Sequence, residues 1–313
     1  MSHVVVLDKV TKRYRDQVAL DGVTLRVPSG VVFALLGENG AGKTTAIRLM
    51  LGLAEVDAGR VQVLGLDSGR DGLNVRRRTG YMPERPTLYE WMTAAEIGWF
   101  TAGFYADGFE HRYRSLVENF RVPLARKISQ MSKGMRAKVA LSLALAHEPE
   151  LLILDEPTSG LDTIVRHEFL ESMVDVAAAG RTVILSSHQI AEVERVADIV
   201  AIVRQGRVMT CEPLDQLKRT TTELTITVAA SRAEPPSIPG EVLATRQRGH
   251  QWQFLVRHLP ADAMPALEAA EGIVAVDSRT PSLEEIFVAY MQCAMDAKSP
   301  QIESSQAHVE AGK

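Results

Sequence analysis

Gly37-Glu38-Asn39-Gly40-Ala41-Gly42-Lys43-Thr44-Thr45 follows the apolar run Val31-Val32-Phe33-Ala34-Leu35-Leu36 and precedes Ala46 to Leu51, which reads as a helix. Strand, glycine-rich turn and helix together form the context in which such a string becomes a phosphate site. Gly37, Gly40 and Gly42 carry no Cβ, so the backbone can bend tightly and turn its N–H groups toward a ligand. The helix that follows points its positive end at the same spot. Lys43 would reach the β- and γ-phosphates, and the Thr44 hydroxyl would hold Mg²⁺. Glu38, Asn39, Ala41 and Thr45 complete the candidate phosphate-binding segment.

Downstream, Leu151-Leu152-Ile153-Leu154-Asp155-Glu156 is an apolar run ending in two carboxylates. Such a run fits a strand buried on both faces, and its carboxyl end would lie beside the phosphate loop. Successive side chains of a strand diverge, so the two acids cannot do the same job. Asp155 can hold a Mg²⁺-bound water, while Glu156 can face the γ-phosphate and orient or deprotonate the attacking water. Thr182 to Ser187 reads as a further buried strand with His188 at its end; a lone histidine is usually structural or on the surface, but this one is better placed than most to touch a γ-phosphate. Thr79 to Met82 reads as a short strand stopped by Pro83, leaving Glu84 at the same sheet edge. The arginines Arg76, Arg77 and Arg78 ahead of it read as a solvated turn.

Other segments leave alternatives open. Tyr14, within Lys12-Arg13-Tyr14-Arg15, would either stack on a nucleobase or sit on a solvent-facing strand edge, and composition favours the edge. Ser132-Lys133-Gly134 precedes an amphipathic helix with Met135, Val139, Leu143 and Ala146 on one stripe. Ser132 would be an ordinary N-cap there, or part of a second anion site. Asp162 reads as the N-cap of the next helix and Gly180 as its C-terminal glycine. From Thr93 to about Phe120 the pattern is helical, and Trp91, Trp99, Phe100 and Phe104 are read as core, the lesser alternative being a face turned to a partner.

The chain's 313 residues leave room for one large domain and a small one. With 35 basic and 39 acidic residues the net charge is −4, which gives no electrostatic footprint for nucleic acid. Two cysteines, Cys211 and Cys293, argue against a disulfide framework and for a reducing compartment. Met1-Ser2-His3 lacks the features of a signal peptide, and no run approaches the roughly 18 apolar residues of a membrane span. Work at a membrane would therefore need another chain to supply the span. After the hairpin around Arg204-Gln205-Gly206, strands at Thr222 to Val228, Trp252 to Val256 and Ile273 to Val276 and a helix at Ala261 to Ala270 form a small module. Ser282-Leu283-Glu284-Glu285 is a capping box opening a last helix. Residues from Lys298 to Lys313 are polar, without periodicity, and expected to be disordered.

Taken in order over about residues 3–215, these pieces resemble the ATP-binding-cassette ATPases. In that resemblance Met131 to Met135 is the signature loop, with Ser132 and Gly134 as ATP-binding residues, and Leu151 to Asp155 is the Walker B strand. Glu156 is the catalytic glutamate, Ser159 to Asp162 the D-loop and His188 the switch histidine. Tyr14 falls where the family stacks an aromatic on adenine, which reverses the reading from composition. The family implies an α/β P-loop NTPase core with an antiparallel β subdomain and a helical subdomain. The expected layout is a nucleotide-binding domain over 1–218 with a helical insert at about 85–148, an accessory α/β domain over 219–296 and a tail over 297–313.

It also implies a mechanism: two cassettes close head-to-tail on two ATPs with Mg²⁺, each ATP meeting one subunit's phosphate loop and the other's signature helix. The partner cassette would be a second copy or a paralogue. Closure would push on separately encoded permease subunits, with this chain peripheral on the cytoplasmic face. The ending Ser282 to Phe287 is similar to the branch that powers drug, antibiotic or polysaccharide export. Two positions depart from the family pattern. Glu84 stands where glutamine is usual, and a carboxylate still offers Mg²⁺ an oxygen. Ser-Lys-Gly-Met replaces Ser-Gly-Gly-Gln, so Lys133 either favours the partner's ATP or is simply solvated. The alternative reading is a non-transport cassette of DNA repair or translation, although the coiled-coil insertions or paired cassettes of those types do not appear here; a P-loop kinase would not explain the signature loop.

Overall fold

The structure, a computed structural model, describes residues 3–229 and 234–292. β1 (His3–Tyr14) and β2 (Gln17–Pro28) form a long antiparallel hairpin whose alternate residues Val5, Leu7, Leu25 and Val27 are buried. β3 (Val32–Leu36) is buried at every position and feeds the glycine loop and α1 (Lys43–Met50). β4 (Ala58–Val63) and β5 (Leu66–Asp67) complete an antiparallel sheet ordered β2-β1-β4-β5.

The chain then builds its main sheet. In order come α2 (Gly72–Arg77), β6 (Thr79–Met82), α3 (Ala94–Ala102), α4 (Phe109–Asn119), α5 (Lys133–Leu145) and β7 (Leu151–Asp155). They are followed by α6 (Thr163–Ala178), β8 (Thr182–Ser187), α7 (Ile190–Val196), β9 (Ile199–Arg204), β10 (Arg207–Pro213) and α8 (Leu214–Thr220). The sheet runs β10-β9-β3-β8-β7-β6, parallel from β9 to β6 with β10 as an antiparallel edge. Parallel strands covered on both faces need continuous apolar runs, which β3, β7 and β8 have. Because these strands point the same way, the glycine loop, Glu84, Glu156 and His188 all leave from one sheet edge.

Helices α3, α4 and α5 share a separate core of Ile97, Phe109, Tyr113, Val117, Ile128 and Val139. Helix α5 is buried on two sides: Val139 faces that core, while Ala137, Leu141 and Ala144 face the main one. It therefore fastens the helical layer to the sheet. Asp162 caps α6 by accepting the N–H groups of Ile164 and Val165, and Gly180 follows its end at φ +81°.

Two expectations are corrected. Trp91, Trp99, Phe100 and Phe104 are not core: they are 67%, 66%, 37% and 70% exposed. The helical period identified an apolar face, but the described residues do not cover it. The arginines do not form a solvated turn either: Arg77 is exposed, but Arg76 and Arg78 are engaged. Arg76 lies in the last turn of α2 and donates to the Leu51 carbonyl at 2.9 Å, while Arg78 pairs with Glu150 through two bonds of 2.6 and 2.8 Å.

The last module comprises β11 (Thr221–Val228), β12 (Glu241–Arg248), β13 (Gln251–Arg257), α9 (Ala263–Glu268), β14 (Ile273–Arg279) and α10 (Leu283–Gln292). Its antiparallel sheet runs β12-β13-β11-β14. One face holds a small core of Leu224, Ile226, Phe254, Val256 and Leu267. The other face, with Leu243 and Leu255, joins Leu283, Ile286 and Phe287 of α10 in the main core itself. The Ser282–Glu285 capping box is formed, with Glu285 N–H to the Ser282 hydroxyl at 3.3 Å and Ser282 N–H to Glu285 at 2.8 Å. Cys293 and the tail over 297–313 lie outside the described residues. Among the described residues no helix is long and apolar enough to cross a membrane.

Candidate nucleotide site

The glycines of the loop are fixed by what surrounds them. A Cβ on Gly37 would lie 2.5 Å from the Val203 carbonyl oxygen. Gly42, at φ +108°, would bring one within 2.5 Å of the Ala19 carbonyl oxygen. The loop closes on itself through Ala41 N–H to Glu38 O at 3.1 Å and is anchored by Gly206 N–H to Ala41 O at 2.9 Å. Gly42 opens α1 without a side-chain cap, so the first-turn N–H groups stay available to an anion.

A cavity of about 340 Å³ lies over this loop, and Tyr14, Gln17, Ala19, Glu38 to Thr45, Glu84 and Glu156 line it. The sequence-predicted residues Tyr14, Glu84 and Glu156, far apart in the chain, thus meet the phosphate loop. Tyr14 ends β1 and is 43% exposed, with the Lys12 ammonium 5.4 Å from its ring centre. Gln17 and Ala19 were not foreseen, because nothing local marks the start of a β-strand as a cavity wall.

The two adjacent acids part as strand geometry requires. Asp155 is 2% exposed and accepts a hydrogen bond from the Ser186 hydroxyl on the neighbouring strand. Its charge, after burial as the larger cause, helps push the Tyr81 hydroxyl up to about 12, so that group stays neutral. Glu156 sits at φ +49°, in the left-handed region that disfavours residues with a Cβ by about 1–2 kcal/mol. Its N–H donates to both the carbonyl and the hydroxyl oxygen of Ser186, each at 3.1 Å, which holds that turn. Its carboxylate lies between two cationic-type side chains. Oε1 is 3.1 Å from Lys43 Nζ, and Oε2 is 2.7 Å from His188 Nδ1 and also accepts the His188 N–H at 3.3 Å. Lys43 meanwhile donates to the Gly37 carbonyl at 2.6 Å.

Oε1 of Glu156 is buried with no well-oriented hydrogen bond, so its position suits a further polar group arriving in the cavity. The exposed Thr44 hydroxyl and the Glu84 and Asp155 carboxylates are hard oxygen donors, the type Mg²⁺ takes. Among the described residues no cluster of three or more His, Cys, Asp or Glu side chains could hold a metal unaided. Mg²⁺ is usually bound by one or two carboxylates together with phosphate oxygens and water.

Ser132 and Gly134 do not line this cavity. Ser132 caps α5, its hydroxyl accepting the Met135 N–H at 3.2 Å. Gly134 packs under α6, where a Cβ would lie 3.0 Å from Val165. The Lys133 ammonium lies over Gly160, 2.5 Å from where a Cβ would stand.

Comparison with known proteins agrees with this geometry. The model of the ABC transporter family matches residues 20–159. A daunorubicin resistance ATP-binding protein of Streptomyces coeruleorubidus is 34% identical over 300 residues, covering 91% of this chain and 94% of that protein. The Nod factor export ATP-binding protein I of Sinorhizobium fredii is 37% identical over 207 residues, 64% of this chain, and that match spans 60% of the relative's length. A solved ATP-binding subunit of an ABC transporter superposes with a TM-score of 0.64 at 35% identity, over 69% of this chain and 92% of that one. With a phosphate loop, a buried strand ending in paired acids and a full-length relative all in agreement, the chain belongs to the ABC transporter family as an ATP-binding subunit, an ATPase.

Proposed function

We propose that this chain hydrolyses ATP in a head-to-tail pair of cassettes and thereby drives export through separately encoded permease subunits. The observation that carries the reading is the Glu156 carboxylate held between Lys43 and His188 at the wall of the phosphate-loop cavity. Gly37 to Thr45 bind the phosphates and Tyr14 stacks on the base. Thr44, Glu84 and Asp155 would hold Mg²⁺, which supplies charge neutralisation at the phosphates. Glu156 orients the attacking water and takes its proton, and His188 fixes the Glu156 carboxylate and senses the γ-phosphate.

Ser132 and Gly134 face the ATP bound by the other cassette, which accounts for their standing outside their own subunit's cavity. The partner is a second copy or a paralogue, and the pair sits on the inner face of the membrane. Export is supported by the names of the relatives, one a drug-resistance and one an export protein. Those names lend nothing to a repair or translation role.

The test is Glu156→Gln. Hydrolysis is expected to fall by about 10²–10⁴-fold, the usual contribution of a general base, while ATP binding is kept. Turnover at the wild-type rate would overturn the assignment.

A further inference from the structure

We infer that Glu192 is a positioning residue for hydrolysis, acting through the turn that follows Glu156. Glu192 lies on α7, the short helix that begins just after His188, and is 4% exposed. Its Oε2 accepts the hydroxyl of Thr158, itself 1% exposed. Its Oε1 lies 3.0 Å from Nε of Arg166 on α6, and Nη2 of the same guanidinium donates to the Leu161 carbonyl at 3.2 Å. Glu192 therefore grips the turn twice, directly at Thr158 and through Arg166 at Leu161. The turn closes on Glu156 through Ser159 N–H to Glu156 O at 3.2 Å and Leu161 N–H to Thr158 O at 3.1 Å.

The consequence follows from geometry. Glu156 stands in a left-handed conformation, so its carboxylate direction depends on what fixes the backbone on either side. Ser186 fixes the N-terminal side, and the Glu192 clamp fixes the C-terminal side. His188 and Glu192 leave the same short segment, so one element orients both the acid and the turn behind it. A carboxylate suits this place because both partners are donors. A glutamine would offer one acceptor oxygen and turn an N–H₂ toward a second donor.

The inference rests on Glu156 handling the water, and the experiment separates the two. ATP turnover, ATP affinity and thermal midpoint are measured in the full chain for Glu192→Gln, Thr158→Val, Thr158→Ser and the double variant, with Glu156→Gln alongside. The expected result is a kcat about 10- to 100-fold lower for Glu192→Gln and Thr158→Val, the scale of a small misplacement of a reacting group, with ATP affinity within about twofold. Thr158→Ser restores the hydroxyl and recovers kcat. Thr158→Val costs less in the Glu192→Gln background than it does alone, because the contact it removes is already disturbed there. A folded Thr158→Val with kcat within twofold of wild type overturns the inference, as does additivity in the double variant. If Glu192→Gln fails to fold, the valine and serine pair at position 158 still decides. Normal turnover in Glu156→Gln would instead remove the reading on which the inference rests.

Discussion

Gly40 and Gly42 are two positions apart on the phosphate loop, yet their surroundings demand different things. Gly40 has φ +81° and open space where a Cβ would go, whereas Gly42 has φ +108° and a backbone carbonyl 2.5 Å from that point. Gly40→Ala should cost about 1–2 kcal/mol of backbone strain and leave a usable loop. Gly42→Ala must displace the loop from Ala19, so ATP affinity should fall by more than tenfold with a stability loss of about 1–3 kcal/mol. Titration with ATP and denaturation midpoints for the two variants check this; equal affinities would mean that the loop does not hold this shape. The loop was legible in the sequence because its residues are contiguous and strand, turn and helix spell out their order. The pairing of Glu156 with His188 was half legible, as both end buried strands on one sheet edge. The Thr158–Glu192 contact was not legible, since it joins a turn to a short helix 34 residues away.

At the scale of elements, α5 carries two demands at one end. Ser132 is its N-cap in this subunit and, in the proposed dimer, a ligand of the other subunit's ATP. Aspartate caps as well as serine does, so Ser132→Asp should leave the thermal midpoint nearly unchanged. It would also set a negative charge against the partner's γ-phosphate. ATP-driven dimerisation, followed by light scattering in the Glu156→Gln background, should then be lost. Dimerisation equal to the parent's would show that Ser132 serves only its own helix. Element reading succeeded where a period had room to repeat, as in α5 and α6. Helices α7 and α8, seven residues each, are too short to show one, and β12 buries a single residue of eight, so it gives no alternation. Helix α3 was misread for a different reason. Apolar spacing reports that a face wants covering, and Trp99 and Phe100 leave open whether the cover is this chain or another.

At the scale of the molecule, the last module is bound into the rest by more than apolar contact. Arg257 of β13 reaches Glu212 of β10 at 2.9 Å, the Thr220 hydroxyl at 3.1 Å and the Tyr290 hydroxyl at 3.0 Å. The side chains of Arg257 and Glu212 are 9% and 12% exposed, so this is a nearly buried ion pair. Burial works against the Arg257 charge, but Tyr290 and Glu212 more than offset it. Desolvation makes such a pair a weak net stabiliser, while removal of one partner strands the other charge. Arg257→Leu should therefore lower stability by about 3–5 kcal/mol, because the Glu212 charge loses its cation and keeps only the Thr210 hydroxyl, at 2.6 Å. The double variant Arg257→Leu with Glu212→Leu should recover most of that loss, since no charge is then left buried without its partner. Urea midpoints for the two single variants and the double one measure the coupling directly. If the losses add instead of cancelling, the pair is not the electrostatic unit its geometry describes, and the module is held by the shared apolar core alone.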